Sequence, residues 1–110
     1  MEARAIQRYV RITPRKCNQV LGMIRGMSVE QADTTLRFTP KLGARIVLKV
    51  LNSAIDNCKQ KGGRAERMYV KEAIVGAGPT MKRWLPRAQG RATPILKRTS
   101  HVKVTVATRD

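Results

Sequence analysis

His101 is the chain's only histidine, and it directly follows Ser100. Adjacent residues do not make a catalytic triad, and the carboxylates nearest in sequence (Glu66, Glu72, Asp110) offer no orienting partner. A metal-free nuclease needs an acid and a base, and one histidine supplies only one of them. Gly76-Ala77-Gly78 follows a strand-like run but precedes Pro79 rather than a helix, so a dinucleotide fingerprint fails. Cys17 and Cys58 stand far apart without CxxC or Cys/His spacing. That pattern speaks against a metal and for buried free thiols. Neither an enzyme nor a cofactor is expected. The residue types that do recur are cations. Arg4, Arg8, Arg11, Arg15, Lys16 and Arg25 fall in residues 3–29 without one acid. Lys82, Arg83, Arg87, Arg91, Lys97 and Arg98 fall in residues 73–109, again without one. The chemistry this pattern offers is phosphate binding, which dominates nucleic-acid affinity and makes it salt dependent.

The whole chain agrees. It has 110 residues, a formal net charge of +16 and a pI near 11.3. Self-repulsion at that charge favours a polyanionic partner. Nucleic acid is the first candidate and an anionic membrane surface the second. No apolar run reaches membrane-spanning length and no signal-peptide pattern is visible, so the protein is expected to stay where it is made. Four aromatics (Tyr9, Phe38, Tyr69, Trp84) are few for a single-strand binder built on stacking.

The elements that must position these cations follow from periodicity. Residues 2–12 read as a strand with Ile6, Val10 and Ile12 on one parity. Thr13-Pro14 is a helix start, with Cys17, Val20, Leu21 and Ile24 as the buried stripe and Gly26 as the stop. Ser28 to Gln31 makes a capping box, with Met27 and Ala32 as a weak staple. That second helix runs to about Phe38 with Val29, Ala32 and Leu36 inward. Its Glu30 and Asp33 argue against a helix-turn-helix base reader. Thr39-Pro40 repeats the start signal for a third helix to about Lys61, whose Val47, Val50, Leu51, Ala54, Ile55 and Cys58 form the spine. Gly62-Gly63 ends it. Strands follow at 68–75 and 102–106.

Between those strands lies residues 76–101, rich in proline, glycine and cations. Proline suits an edge strand, and both strands of a ribbon are edges. The segment therefore reads as a long β-hairpin centred near Gly90, with Trp84, Leu85, Ile95 and Leu96 opposite each other across that centre. Arms of about ten residues would reach about 30 Å. An isolated hairpin is marginal in water, so a polyanion is expected to hold it; an unstructured basic loop is the plainer alternative. The predicted fold is α+β. A three-stranded antiparallel sheet packs on three helices, with a long protruding β-hairpin, all in one domain over 1–110.

At this point the residues are recognisable. YVRITPRK (9–16), IRGMSVEQA (24–32), VLNSA (50–54), YVKEAIV (69–75), GPTMKRWLPRAQGRATPILKRTSH (78–101) and VKVTV (102–106) resemble, in order, the bacterial-type large-subunit ribosomal protein twenty-two family. The resemblance implies a structural protein of the large ribosomal subunit, in the cytoplasm or in an organelle that keeps bacterial-type ribosomes. It implies a monomer within the ribosome, bound to ribosomal RNA and neighbouring ribosomal proteins, that supports subunit assembly. It implies no membrane partner and no small-molecule substrate. It further implies that the hairpin lines the nascent-peptide exit tunnel, facing the nascent polypeptide. Met81, Lys82 and Arg83 match the arm near the constriction. Pro86, Arg87, Ala88, Gly90, Arg91 and Ala92 match the tip, with Gln89 among them. Lys97, Arg98, Ser100 and His101 match the end seated in RNA. Three positions depart from the family pattern. Asn18 follows Cys17 where an apolar residue and an arginine are usual, and Met27 and Gln89 stand where basic residues are common.

Two readings of other classes make different demands. A DNA-architectural protein with basic proline-bearing arms is expected to dimerise through its helices. A small ribonuclease would need His101 for turnover.

Overall fold

The computed structural model describes residues 2–78, 81–86, 92–97 and 99–108, the two middle segments by their backbone course. The order is β1 (Glu2–Val10), α1 (Pro14–Ile24), α2 (Val29–Arg37), α3 (Leu42–Gln60), a 3-10 turn (Ala65–Arg67), β2 (Met68–Ala77), β3 (Met81–Pro86), β4 (Ala92–Lys97) and β5 (Ser100–Thr108). β5 is the central strand of an antiparallel three-stranded sheet, β1-β5-β2. Val102, Val104 and Val106 turn inward from it and are fully buried. The helices cover that face. This is the α+β two-layer arrangement that the residue pattern predicts.

The helices obey their spacing. Thr13 caps α1 by accepting from the Lys16 N–H, and Ser28 caps α2 by accepting from the Gln31 N–H. Cys17, Val20, Leu21 and Ile24 of α1 and Val29, Ala32 and Leu36 of α2 are buried, as expected. So are Val47, Val50, Leu51, Ala54 and Cys58 of α3, while Ile55 is partly buried against them. Gly26 takes φ +79 past the end of α1, where a left-handed residue closes the helix. Its N–H then bonds to the Val70 carbonyl at 3.0 Å and ties α1 to β2. Cys17 and Cys58 are buried free thiols. Burial pushes the Cys17 thiol up, which keeps it protonated and inert.

Three expectations need correction. The first is the start of α3. Thr39 donates its hydroxyl to the Thr35 carbonyl at 2.6 Å, so it satisfies an orphan acceptor at the end of α2. α3 starts two residues after Pro40, from Lys41, with no side-chain cap.

The second is the parity of β1. Ala3 is buried and Ala5 partly so, while Ile6 is 43% exposed. The pairing with β5 slips between Gln7 and Val10, and this bulge returns Val10 and Ile12 to the core side. A one-residue slip flips the face of everything after it.

The third is the hairpin register. Trp84 pairs with Pro94 and Leu85 with Thr93, rather than with Leu96 and Ile95. The connection from Pro86 to Ala92 makes the pairing symmetric about position 89 instead of 90, because loop length sets hairpin register.

Candidate nucleic-acid interface

The two ends of the sheet differ in what reaches them. At one end β2 stops at Ala77, β5 starts at Ser100 and β1 stops at Val10, and these three residues share one row of pairing. Gly78 and Thr99 continue the ladder by one bond of 2.9 Å towards β3 and β4. We call this the hairpin end. α1 begins here, since Ile12, just before its cap, accepts the Ser100 hydroxyl at 2.6 Å. α3 also begins here. A Cβ on Gly43 would lie 3.3 Å from Ile12 Cδ1 and 3.7 Å from the Lys16 carbonyl. Both helices then run away from the hairpin. At the far end Gly63 packs on Cys58 and Met68, and Lys61 Nζ donates to the Glu2 carbonyl at 3.0 Å.

That geometry sorts the charges. Arg11, Arg15 and Lys16 lie at the hairpin end and are exposed. Folding adds Lys41 and Arg45, also exposed, at the start of α3. Neither α1 nor α3 has an acid in its first turn. Helix starts carry partial positive charge and unbonded N–H groups, so they suit phosphate. The far end is mixed. Glu2 bonds Lys71 at 2.6 Å, which holds the Glu2 carboxyl below its usual range and raises Lys71. Glu30, Asp33 and Asp56 line one depression with Lys59.

The residues expected to bind RNA do not all gather. Arg8, Arg11, Arg15 and Lys16 do. Arg4 is exposed but sits opposite Thr105, well along the sheet towards the far end. Arg25, past the end of α1, gives Nε to the Ala73 carbonyl and Nη2 to Asn18 Oδ1, both at 2.8 Å. It fastens α1 to β2, and Asn18, one of the departures from the family pattern, is its partner. Ser100 is fully buried with its hydroxyl spent on Ile12, so it serves the hairpin root rather than a surface contact. His101 is half-buried, and its Nδ1 accepts the Tyr9 N–H at 3.1 Å. Met81, Lys82, Arg83 and Pro86 lie on β3, and Ala92 and Lys97 on β4. Arg87, Ala88, Gln89, Gly90, Arg91 and Arg98 lie outside the described residues.

Lys41, Arg45 and Phe38 escape the sequence reading. Phe38 is 82% exposed at the α2–α3 corner, beside Lys41 and Arg45 in one groove. A signal exists, since no acid occurs between Asp33 and Asp56.

The chain is similar to known proteins over nearly its whole length. Residues 5–107 match the family described as Ribosomal protein L22p/L17e. The large ribosomal subunit protein uL22 of Thermoanaerobacter sp. (strain X514) is 55% identical over 107 residues, covering 96% of each chain. That of Finegoldia magna is 51% identical over 111 residues, covering 100% of this chain and 99% of its own. That of Thermus thermophilus is 55% identical over 105 residues, covering 94% of this chain and 93% of its own.

Proposed function

This chain belongs to the ribosomal protein L22p/L17e family, and from that premise we propose that its hairpin end binds ribosomal RNA while its hairpin lines the nascent-peptide exit tunnel. The chain is a structural, non-enzymatic constituent of the large ribosomal subunit, in the cytoplasm as its bacterial relatives are. Within the subunit it is a monomer among other ribosomal proteins, and its RNA contacts support assembly.

The observation that supports this reading is the acid-free end. Two helix starts and the exposed Arg11, Arg15, Lys16, Lys41 and Arg45 face the side from which the hairpin leaves. Cations without counter-charges repel one another in the free chain and are relieved by phosphate. The hairpin cations Lys82, Arg83, Arg87, Arg91, Lys97 and Arg98 extend that field into RNA. The small tip residues Ala88, Gly90 and Ala92 leave room for a passing polypeptide.

A photoreactive side chain at position 88 tests the tunnel role in translating ribosomes. Crosslinks to both large-subunit RNA and the nascent chain are expected. Crosslinks to RNA alone would remove the tunnel-wall role. Crosslinks to neither would overturn the whole placement of the hairpin.

A further inference from the structure

β1 ends in a strained way. Its pairing with β5 slips between Gln7 and Val10, and there Tyr9 takes φ +58. A left-handed backbone is unfavourable for a bulky side chain and persists where surroundings enforce it. The core gains nothing from the ring, for Tyr9 is 63% exposed while Val10 beside it is 6% exposed. A bulge needs an extra residue, and glycine would fill this one without strain. Yet the tyrosine is held. Its N–H bonds to His101 Nδ1 at 3.1 Å, and its ring meets the imidazole edge-on, centroids 5.0 Å apart at 88°. The outcome is a rigid, exposed aromatic ring at the hairpin root, between the exposed Arg8 and Arg11.

We propose that Tyr9 is a stacking platform for one unpaired base of ribosomal RNA, with Arg8 and Arg11 on the phosphates beside it. This rests on the RNA-binding reading above and adds a base contact to it. Charge selects the occupant. Among the described residues neither arginine is in an ion pair, and Glu72, across the sheet, lies 4.0 Å from Lys103. An exposed ring with exposed arginines before and after it in the chain suits a splayed base with its own phosphates, and single-stranded RNA is read in that way. His101 then acts as a positioning residue that holds the ring's backbone.

Chemical probing of ribosomal RNA in large subunits carrying Tyr9 variants tests this. Tyr9→Ala and Tyr9→Gly should raise the reactivity of one or two unpaired bases by about fivefold or more, the scale of one lost stacking contact. Tyr9→Trp should keep the protection, and protections by the hairpin should stay unchanged in all variants. Tyr9→Gly also removes the strain, so the isolated chain should melt at the wild-type temperature or above. No change at any base would overturn the platform while leaving the RNA-binding reading intact. Wild-type protection in Tyr9→Leu would overturn it in favour of an apolar protein contact. A lower melting temperature for Tyr9→Gly with unchanged bases would make the ring merely structural. Absence of any wild-type protection of RNA would overturn the RNA-binding reading as well.

Discussion

At the far end of the sheet, Glu2 meets Lys71 at 2.6 Å, and Glu30, Asp33 and Asp56 share a depression with Lys59. At the hairpin end, Arg11, Arg15, Lys16, Lys41 and Arg45 are exposed and in no ion pair among the described residues. One core of fully buried Leu21, Leu51, Val104 and their neighbours supports both ends. Stability therefore does not explain the difference. A fold that balances charge at one end and leaves it unbalanced at the other has its second partner outside the chain.

The largest stability effect that sharpens this comparison sits at the hairpin root. A Cβ on Gly78 would lie 2.5 Å from Thr99 Oγ1, whereas one on Gly76 meets nothing within 4 Å. Gly78→Ala is expected to cost about 1–3 kcal/mol by overpacking, and Gly76→Ala to stay within about 0.5 kcal/mol, as open surface positions do. Chemical denaturation compares the pair, and equal costs would mean the root is not tight. Next is Ser100→Ala, which strands the buried Ile12 carbonyl bonded at 2.6 Å. A loss of about 1–2 kcal/mol is expected, with the salt dependence of RNA binding unmoved. A changed salt dependence would return Ser100 to the interface.

The smallest effect belongs to the far end. The Lys71 hydrogen bond holds the Glu2 carboxyl below its unfolded value, so its contribution is present above that value and is lost as pH falls through the folded one. Lys71 is raised by the same bond, so its share is present below its unfolded value and is lost as pH rises through the folded one. Both groups are solvent exposed, so Glu2→Gln should flatten only a slight acid-side slope of melting temperature against pH. A large change would show that the far end depends on this pair.

The sequence carried the helical layer well, because Thr13, Pro14 and Ser28 act on their nearest neighbours, and stripes such as Val47-Val50-Leu51-Ala54 register on one helix face. It misplaced what depends on a distant partner. Thr39 and Pro40 are a sound start signal, yet the Thr39 hydroxyl found Thr35 of the preceding helix. Ile6 and Val10 share a parity, but the slip at Tyr9 separates them. The hairpin pairing differed from expectation because its centre depends on which residues the turn takes. The site followed the same rule. The acid-free runs around Arg11, Arg15 and Lys16 are visible in one dimension. Lys41 and Arg45 join them only because α3 starts beside Ile12, and Arg25 leaves them because Ala73 and Asn18 claim it. No periodicity shows a tyrosine with positive φ.

The unbalanced end, rather than net charge as such, is proposed to meet ribosomal RNA. Two quadruple variants remove the same charge from each end: Arg11, Arg15, Lys41 and Arg45 to alanine, or Lys59, Lys61, Arg64 and Arg67 to alanine. The measurement is the slope of log binding constant against log salt for large-subunit ribosomal RNA. Each lost phosphate contact lowers that slope by about 0.7–0.9. The first variant should therefore lose about three units of slope and the second less than about one. Equal losses would contradict the account, since binding would then follow total charge and not its place in the fold.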